Sequence, residues 1–148
     1  KVKCAVGKRG IKIKKKEGDN ITPKGKFKIK SIFYRKDRIS NLKSDINKIV
    51  IQKNMGWCDD SRSKKYNKLI QFPFKYSAEK LYRHDNIYDI LLVLSFNTNP
   101  IRRNKGSAIF IHIARKKFEA TEGCVAVSKR NLKSIIEKIN KKTTVMII

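Results

Sequence analysis

A mostly-β domain with one clear helix is predicted by three observations. Apolar and charged residues alternate with period two over much of the 148-residue chain, as they do in half-buried strands. Two stretches, within residues 87–97 and 107–114, carry the longest apolar runs, such as Ile90-Leu91-Leu92-Val93-Leu94, and read as strands covered on both faces. Helical spacing is clear only once, in Leu132, Ile135, Ile136 and Ile139. The length corresponds to one domain and suffices to bury one core, so residues 1–148 are expected to form a single unit.

Taken in order, residues 1–6 and 10–14 both alternate and predict a hairpin pair, which would make Cys4 a small core residue. Glu17-Gly18-Asp19-Asn20 and Thr22-Pro23-Lys24-Gly25 mark turns. A strand resumes at Lys26 and runs through Phe27, Ile29, Ile32 and Tyr34. Residues 47–52 predict another short strand. Residues 54–86 read mostly as loop, with Ser77 and Lys80 giving half a capping box for a short helix. Between the two apolar strands, residues 99–106 form a turn-rich connection. Ser128 is a plausible N-cap for the terminal helix, and residues 143–148 close the chain as a strand.

The 37 Lys plus Arg against 12 Asp plus Glu give a net charge of +25. Such a balance suggests an anionic partner. The basic residues, however, are spread from Lys1 to Lys142 and alternate with apolar ones, as in Ile11-Lys12-Ile13-Lys14. That pattern fits solvent-facing strand positions in a Lys- and Ile-rich chain best, and an anionic envelope polymer would also fit. No zinc-finger spacing and no RNP-type aromatic motif accompany the charge, so no nucleic-acid partner is expected. No apolar run approaches the roughly 20 residues of a membrane helix. The chain starts at Lys1 without methionine and shows no signal peptide, so location has to come from chemistry. Three cysteines, Cys4, Cys58 and Cys124, make an odd number without CxxC or Cys/His ligand spacing. No metal is expected, and a leftover thiol is a candidate nucleophile.

The chemistry concentrates in two short stretches. One is Ile109-Phe110-Ile111-His112-Ile113-Ala114-Arg115, and the other is Thr121-Glu122-Gly123-Cys124-Val125-Ala126-Val127. A free thiol, with a pKa of about 8.5, is mostly protonated at neutral pH, and a nearby imidazole can remove its proton. Adjacent strands would set His112 beside Cys124. Gly123 would let the backbone approach a substrate and leave amide N–H groups to face an oxyanion. By spacing alone, a packed Cys beside a core His fits as well. Elsewhere, Cys58 reads as structural and His84 as a surface residue. Trp57, Tyr82 and Tyr88 could line a groove or pack in the core. Asp59, Asp60 and Asp85 could pair as carboxylates, or serve turns and caps.

With these motifs the chain resembles the L,D-transpeptidase catalytic domain (YkuD) family. The family's core is a His, a variable loop, then Ser/Thr-x-Gly-Cys, here His112 and Thr121-Glu122-Gly123-Cys124. An upstream Gly-x-x-Thr-Pro-x-Gly-x-Phe element is matched, with one extra residue, by Gly18 to Phe27. Gly56-Trp57-Cys58-Asp59-Asp60, Leu81-Tyr82-Arg83-His84-Asp85 and Ile87-Tyr88-Asp89 resemble a compact proteobacterial branch. The resemblance implies an L,D-transpeptidase-like β-sandwich with one or two short helices. It implies a thioester on Cys124, His112 as base, an oxyanion site at Gly123-Cys124, and Thr121 shaping that turn. A backbone carbonyl would orient His112, and no cofactor would be needed. Peptidoglycan stem peptides and glycan would be the partners of a periplasmic or envelope monomer susceptible to carbapenem acylation, with Trp57 and Tyr88 lining the groove. Transfer to an amine would cross-link the wall. Transfer to water would make a carboxypeptidase or endopeptidase, and a silent domain would only bind peptidoglycan or nucleic acid. Two positions depart from the family pattern. Glu122 stands where many members have His, and Ala126 where many have Arg or Asn. Arg115 is the nearest replacement for the missing positive charge, and would either hold a substrate carboxylate or be an ordinary exposed arginine.

Overall fold

A strand with apolar residues at every position needs a layer on each face, and the chain provides both. The computed structural model describes residues 1–148. The first strands are β1 (Cys4–Ala5), β2 (Ile11–Lys12), β3 (Thr22–Pro23), β4 (Gly25–Tyr34) and β5 (Lys48–Val50). They are followed by β6 (Met55–Cys58), β7 (Leu69–Gln71), β8 (Ala78–Lys80), β9 (Ile90–Leu94) and β10 (Phe110–Ile113). The chain closes with β11 (Val125–Val127), α1 (Lys129–Lys138) and β12 (Thr144–Ile147).

The main sheet has the order β1-β11-β10-β9-β4-β12, with β5 also paired to β4. All five residues of β9 are buried at its centre. Period-two alternation sends them to opposite sides. Ile90, Leu92 and Leu94 join Ile111, Ile113, Leu132 and Ile136 in the core beneath α1. Leu91 and Val93 join Phe33, Trp57 and Phe110 in a second core, beneath the small sheet β7-β6-β8. The fold is thus mostly β, with two sheets face to face and one helix on the outer face of the larger sheet.

The helix forms where its spacing predicts. The Ser128 side chain caps it by accepting from the Asn131 N–H at 3.2 Å, and Leu132 and Ile136 turn inward. Leu132 has no solvent exposure. Leu132→Ala is therefore expected to cost about 2–5 kcal/mol through lost burial and the cavity left behind. For a domain of this size that lowers the thermal midpoint by roughly 5–15 °C, as differential scanning calorimetry would read.

Four expectations are corrected. Residues 1–6 and 10–14 do not form a hairpin with each other. β1 pairs antiparallel with β11, and β2 pairs parallel with β3. Alternation reveals a strand but not its partner, and these partners are distant in sequence or parallel. Cys4 is consequently exposed, while its neighbour Ala5 takes the inward position. Residues 54–86 contain the second sheet, and residues 78–80 pair as a strand with β6 instead of forming a helix. Asn47–Gln52 does contain a strand, β5, and it runs parallel to β4.

Candidate active site

β10 and β11 lie side by side and parallel, with Ile111 opposite Val125 and His112 opposite Ala126. One step back along β11, Cys124 sits beside Phe110, whose N–H donates to Sγ at 3.4 Å. Phe110 and His112 share one face of β10 by alternation, and Phe110 and Cys124 belong to the same core on that face. His112, opposite Ala126, and Cys124, two residues before Ala126, are thereby diagonal neighbours on one sheet face.

The upstream Thr-Pro element is built into the same place. Thr22 is fully buried, accepts from the Gly7 N–H at 2.8 Å and donates to the Cys124 carbonyl at 3.3 Å. Thr121 Oγ1 donates to that carbonyl at 2.6 Å and accepts from the Gly123 N–H at 3.1 Å. Gly123 adopts a φ of +148°, and a Cβ there would lie 3.0 Å from the Ile21 carbonyl, so only glycine fits this turn without strain. The amide N–H groups expected to be free at this turn are not all free. The Gly123 N–H is spent on Thr121, whereas the Cys124 N–H has no partner.

His112 is buried, and its Nδ1 lies 2.9 Å from the carbonyl of Ile113. A proton on Nδ1 satisfies that carbonyl and leaves Nε2 as the basic nitrogen. Burial, reinforced by the Arg115 and Arg83 guanidinium groups, holds the imidazole below its usual pKa of 6.5. At neutral pH it is uncharged. Burial also pushes the Cys124 thiol up to about 12, with Glu79 adding to the effect. The thiol donates to the Ala108 carbonyl at 3.1 Å. The resting pair is therefore a neutral thiol and a neutral imidazole, and the arrangement suits proton transfer during attack better than a standing ion pair.

Both groups open onto a cleft of about 760 Å³, whose charged and polar lining includes Lys14, Glu17, Glu79, Arg83, Tyr88 and Arg115. Tyr88 lies edge to face with His112 at 5.3 Å and donates to Glu79 at 2.6 Å. Arg115 is half-exposed, and its Nε lies 3.8 Å from Glu119, a contact of little energetic weight. Trp57, in contrast, is a core residue. It packs edge to face on Phe33 and Phe110, and its Nε1 donates to Asn67 at 2.9 Å. Asn67 in turn accepts from the Ala108 N–H at 3.1 Å, so Trp57 reaches the site through Asn67 and Ala108, and not by lining the cleft.

Cys58 is buried, and His84 offers its backbone carbonyl to Arg38. Asp60 binds Arg62 and the Ser77 N–H, and Asp85 binds Arg83, so neither joins a carboxylate pair. Asp59 Oδ1 is buried without a hydrogen-bond partner. No cluster of three or more His, Cys, Asp or Glu is arranged to hold a metal.

Glu79 lies in the Ser77-Ala78-Glu79-Lys80 stretch, which in the sequence reads only as half a capping box for a short helix and does not mark the carboxylate. Burial raises its carboxyl pKa, and its charge opposes the Cys124 thiolate. Glu79→Gln keeps an acceptor for Tyr88 and removes that charge. Alkylation of Cys124 by iodoacetamide at pH 8 is expected to quicken several-fold, as a like charge disfavours ionisation. An unchanged rate would mean that no Glu79 charge acts on the thiol.

A family model described as the L,D-transpeptidase catalytic domain, YkuD, matches residues 1–147. No curated protein and no solved structure matches the chain. No helix is long and apolar enough to cross a membrane.

Proposed function

The chain belongs to the L,D-transpeptidase catalytic domain family, which acts on cell-wall peptidoglycan, and from that premise we propose that it cross-links stem peptides through a thioester on Cys124. The observation that carries this reading is the shared sheet face of His112 and Cys124, with Nδ1 of the histidine tied to a carbonyl and Nε2 left basic.

In the first step the thiol turns from the Ala108 carbonyl and passes its proton to His112 Nε2 as sulfur attacks an amide carbonyl of the donor stem. The carbonyl electron pair moves onto oxygen, where the free Cys124 N–H donates to it. Collapse breaks the C–N bond, and His112 returns the proton to the leaving amine. An amine of a second stem then attacks the thioester, His112 takes its proton, and the Cys124 thiol is regenerated. Substrate placement belongs to the envelope, where peptidoglycan lies.

Arg115, which lines the cleft with His112, is the proposed carboxylate holder. Its partner Glu119 is distant and exposed, so the guanidinium is available to a planar carboxylate. Arg115→Ala is expected to raise KM about tenfold with kcat within about twofold, the pattern of a lost binding contact worth roughly 1.5 kcal/mol. Unchanged KM would remove Arg115 from the substrate site.

The test of the whole reading is product analysis with purified muropeptides of several stem lengths. New dimers that require Cys124 support transfer. Shortened monomers alone would replace it with hydrolysis by the same thioester. No product at all would leave a wall-binding domain in place of an enzyme.

A further inference from the structure

Resting on that reading, we infer that Lys14 is a catalytic residue, its ammonium supplying the second hydrogen-bond donor to the oxyanion formed on Cys124 acylation. Three observations lead there. The first is that one amide donor of the turn, the N–H next to the nucleophile, is already occupied. Two backbone N–H groups commonly stabilise such an oxyanion, but here the Gly123 N–H is held by Thr121 Oγ1 at 3.1 Å, so of the Gly123-Cys124 pair only the Cys124 N–H is free.

The second is the position of Lys14. It lines the cleft with Gly123 and Cys124, and a Cβ built on Gly123 would lie 3.6 Å from its Nζ. The side chain is only 2% exposed, which is unusual for a lysine. Its stem passes Gly106, where an added Cβ would lie 2.5 Å from Lys14 Cε, so the ammonium is fixed in place by packing and not swung in from solvent.

The third is how its hydrogen bonds are spent. An ammonium has three N–H donors. One goes to Asp19 Oδ1 at 2.5 Å and one to the Ile21 carbonyl at 3.3 Å, which leaves one. Asp19 meanwhile accepts from the N–H groups of Lys15, Lys16 and Ile21, so its charge is shared among four donors and neutralises the ammonium incompletely. The result is a buried, oriented positive charge with a spare donor beside the turn that bears the nucleophile.

In the step itself, the Cys124 S–C bond forms, the carbonyl π pair moves to oxygen, the thiol proton goes to His112, and Lys14 donates a hydrogen bond without losing its proton. Collapse of the oxyanion expels the leaving group. A purely structural Lys14, or one acting only on thiol ionisation, would affect every reaction of the thiol alike.

Two reagents separate these roles. p-Nitrophenyl acetate acylates a thiol through an oxyanion and releases p-nitrophenolate. Iodoacetamide alkylates by displacing iodide and forms none. Both rates are measured at one pH on wild type, Lys14→Met and Lys14→Arg, with the Lys14→Met/Asp19→Asn double variant included so that no buried carboxylate is left unpaired. Near-ultraviolet circular dichroism checks the fold of each. Lys14→Met, alone or in the double variant, is expected to slow acylation about 10²–10³-fold, the effect of one oxyanion donor, and alkylation only a few-fold, with Lys14→Arg recovering part of the acylation rate. Parallel loss of both rates in a folded variant, or acylation within about twofold of wild type, would overturn the role of Lys14 and leave the transpeptidase reading intact. A wild type that forms no Cys124 thioester with this ester or with muropeptides would overturn both.

Discussion

Replacing Cys124 with alanine is expected to abolish turnover, by at least about 10⁴-fold, while the fold survives. The magnitude follows from covalent catalysis. Without the sulfur no thioester forms, and the remaining oxyanion and binding contacts have no attacking atom to assist. Survival of the fold follows from the surroundings. The contacts that shape the turn run through the Cys124 carbonyl, held by Thr22 and Thr121, and through Gly123, none of which the side chain supplies. The thiol itself makes two contacts, to the Ala108 carbonyl and the Phe110 N–H. Losing them should cost on the order of 1 kcal/mol, or about 2–4 °C in thermal midpoint. Calorimetry beside a muropeptide assay separates the two effects. Substantial turnover in Cys124→Ala would remove the thioester from the mechanism.

The second large effect is on pH dependence. His112 is held below 6.5 mainly by burial, so its basic form is complete near neutrality. Acylation by wild type is expected to rise through that low pKa and stay flat from about pH 7 to 9. His112→Gln removes the base and should slow acylation at pH 7 by about 10²–10⁴-fold. Its residual rate has to come from thiolate, and burial pushes the thiol up to about 12. That rate should therefore climb about tenfold per pH unit across the range where wild type is flat. Stopped-flow acylation from pH 5 to 10 reads both profiles. A wild type that climbs like the variant would mean that His112 takes no proton from sulfur.

Local signals made part of this legible in the chain. β9 and β10 were visible because continuous apolar runs have few other uses, and α1 because Ser128 and a 3.6-residue spacing agree. The Cys124 and His112 pair was marked by its two motifs, and Thr22 explains why the Thr-Pro element accompanies them, since its hydroxyl reaches the Cys124 carbonyl. The small sheet was hidden. β6, β7 and β8 are three or four residues long, too short for periodicity, and Gly56 interrupts the first. Trp57 looked as suited to a groove as to a core, and only the packing of Phe33 and Phe110 around it decides. Lys14 was harder still. It begins the run Lys14-Lys15-Lys16, which reads as a solvated charge stretch, and its burial depends on Asp19 folding back five residues later. The one local hint was an acidic residue inside the turn of the upstream motif.

Intact mass spectrometry of the protein quenched during incubation with purified muropeptides, followed by peptide mapping, tests the central claim most directly. The predicted result is an adduct of donor stem mass, less its leaving group, on the peptide containing Cys124. It should be absent from Cys124→Ala and discharged by added amine acceptor with formation of dimers. Products without any adduct on that peptide, or an adduct that persists in Cys124→Ala at Cys58 or Cys4, would contradict it.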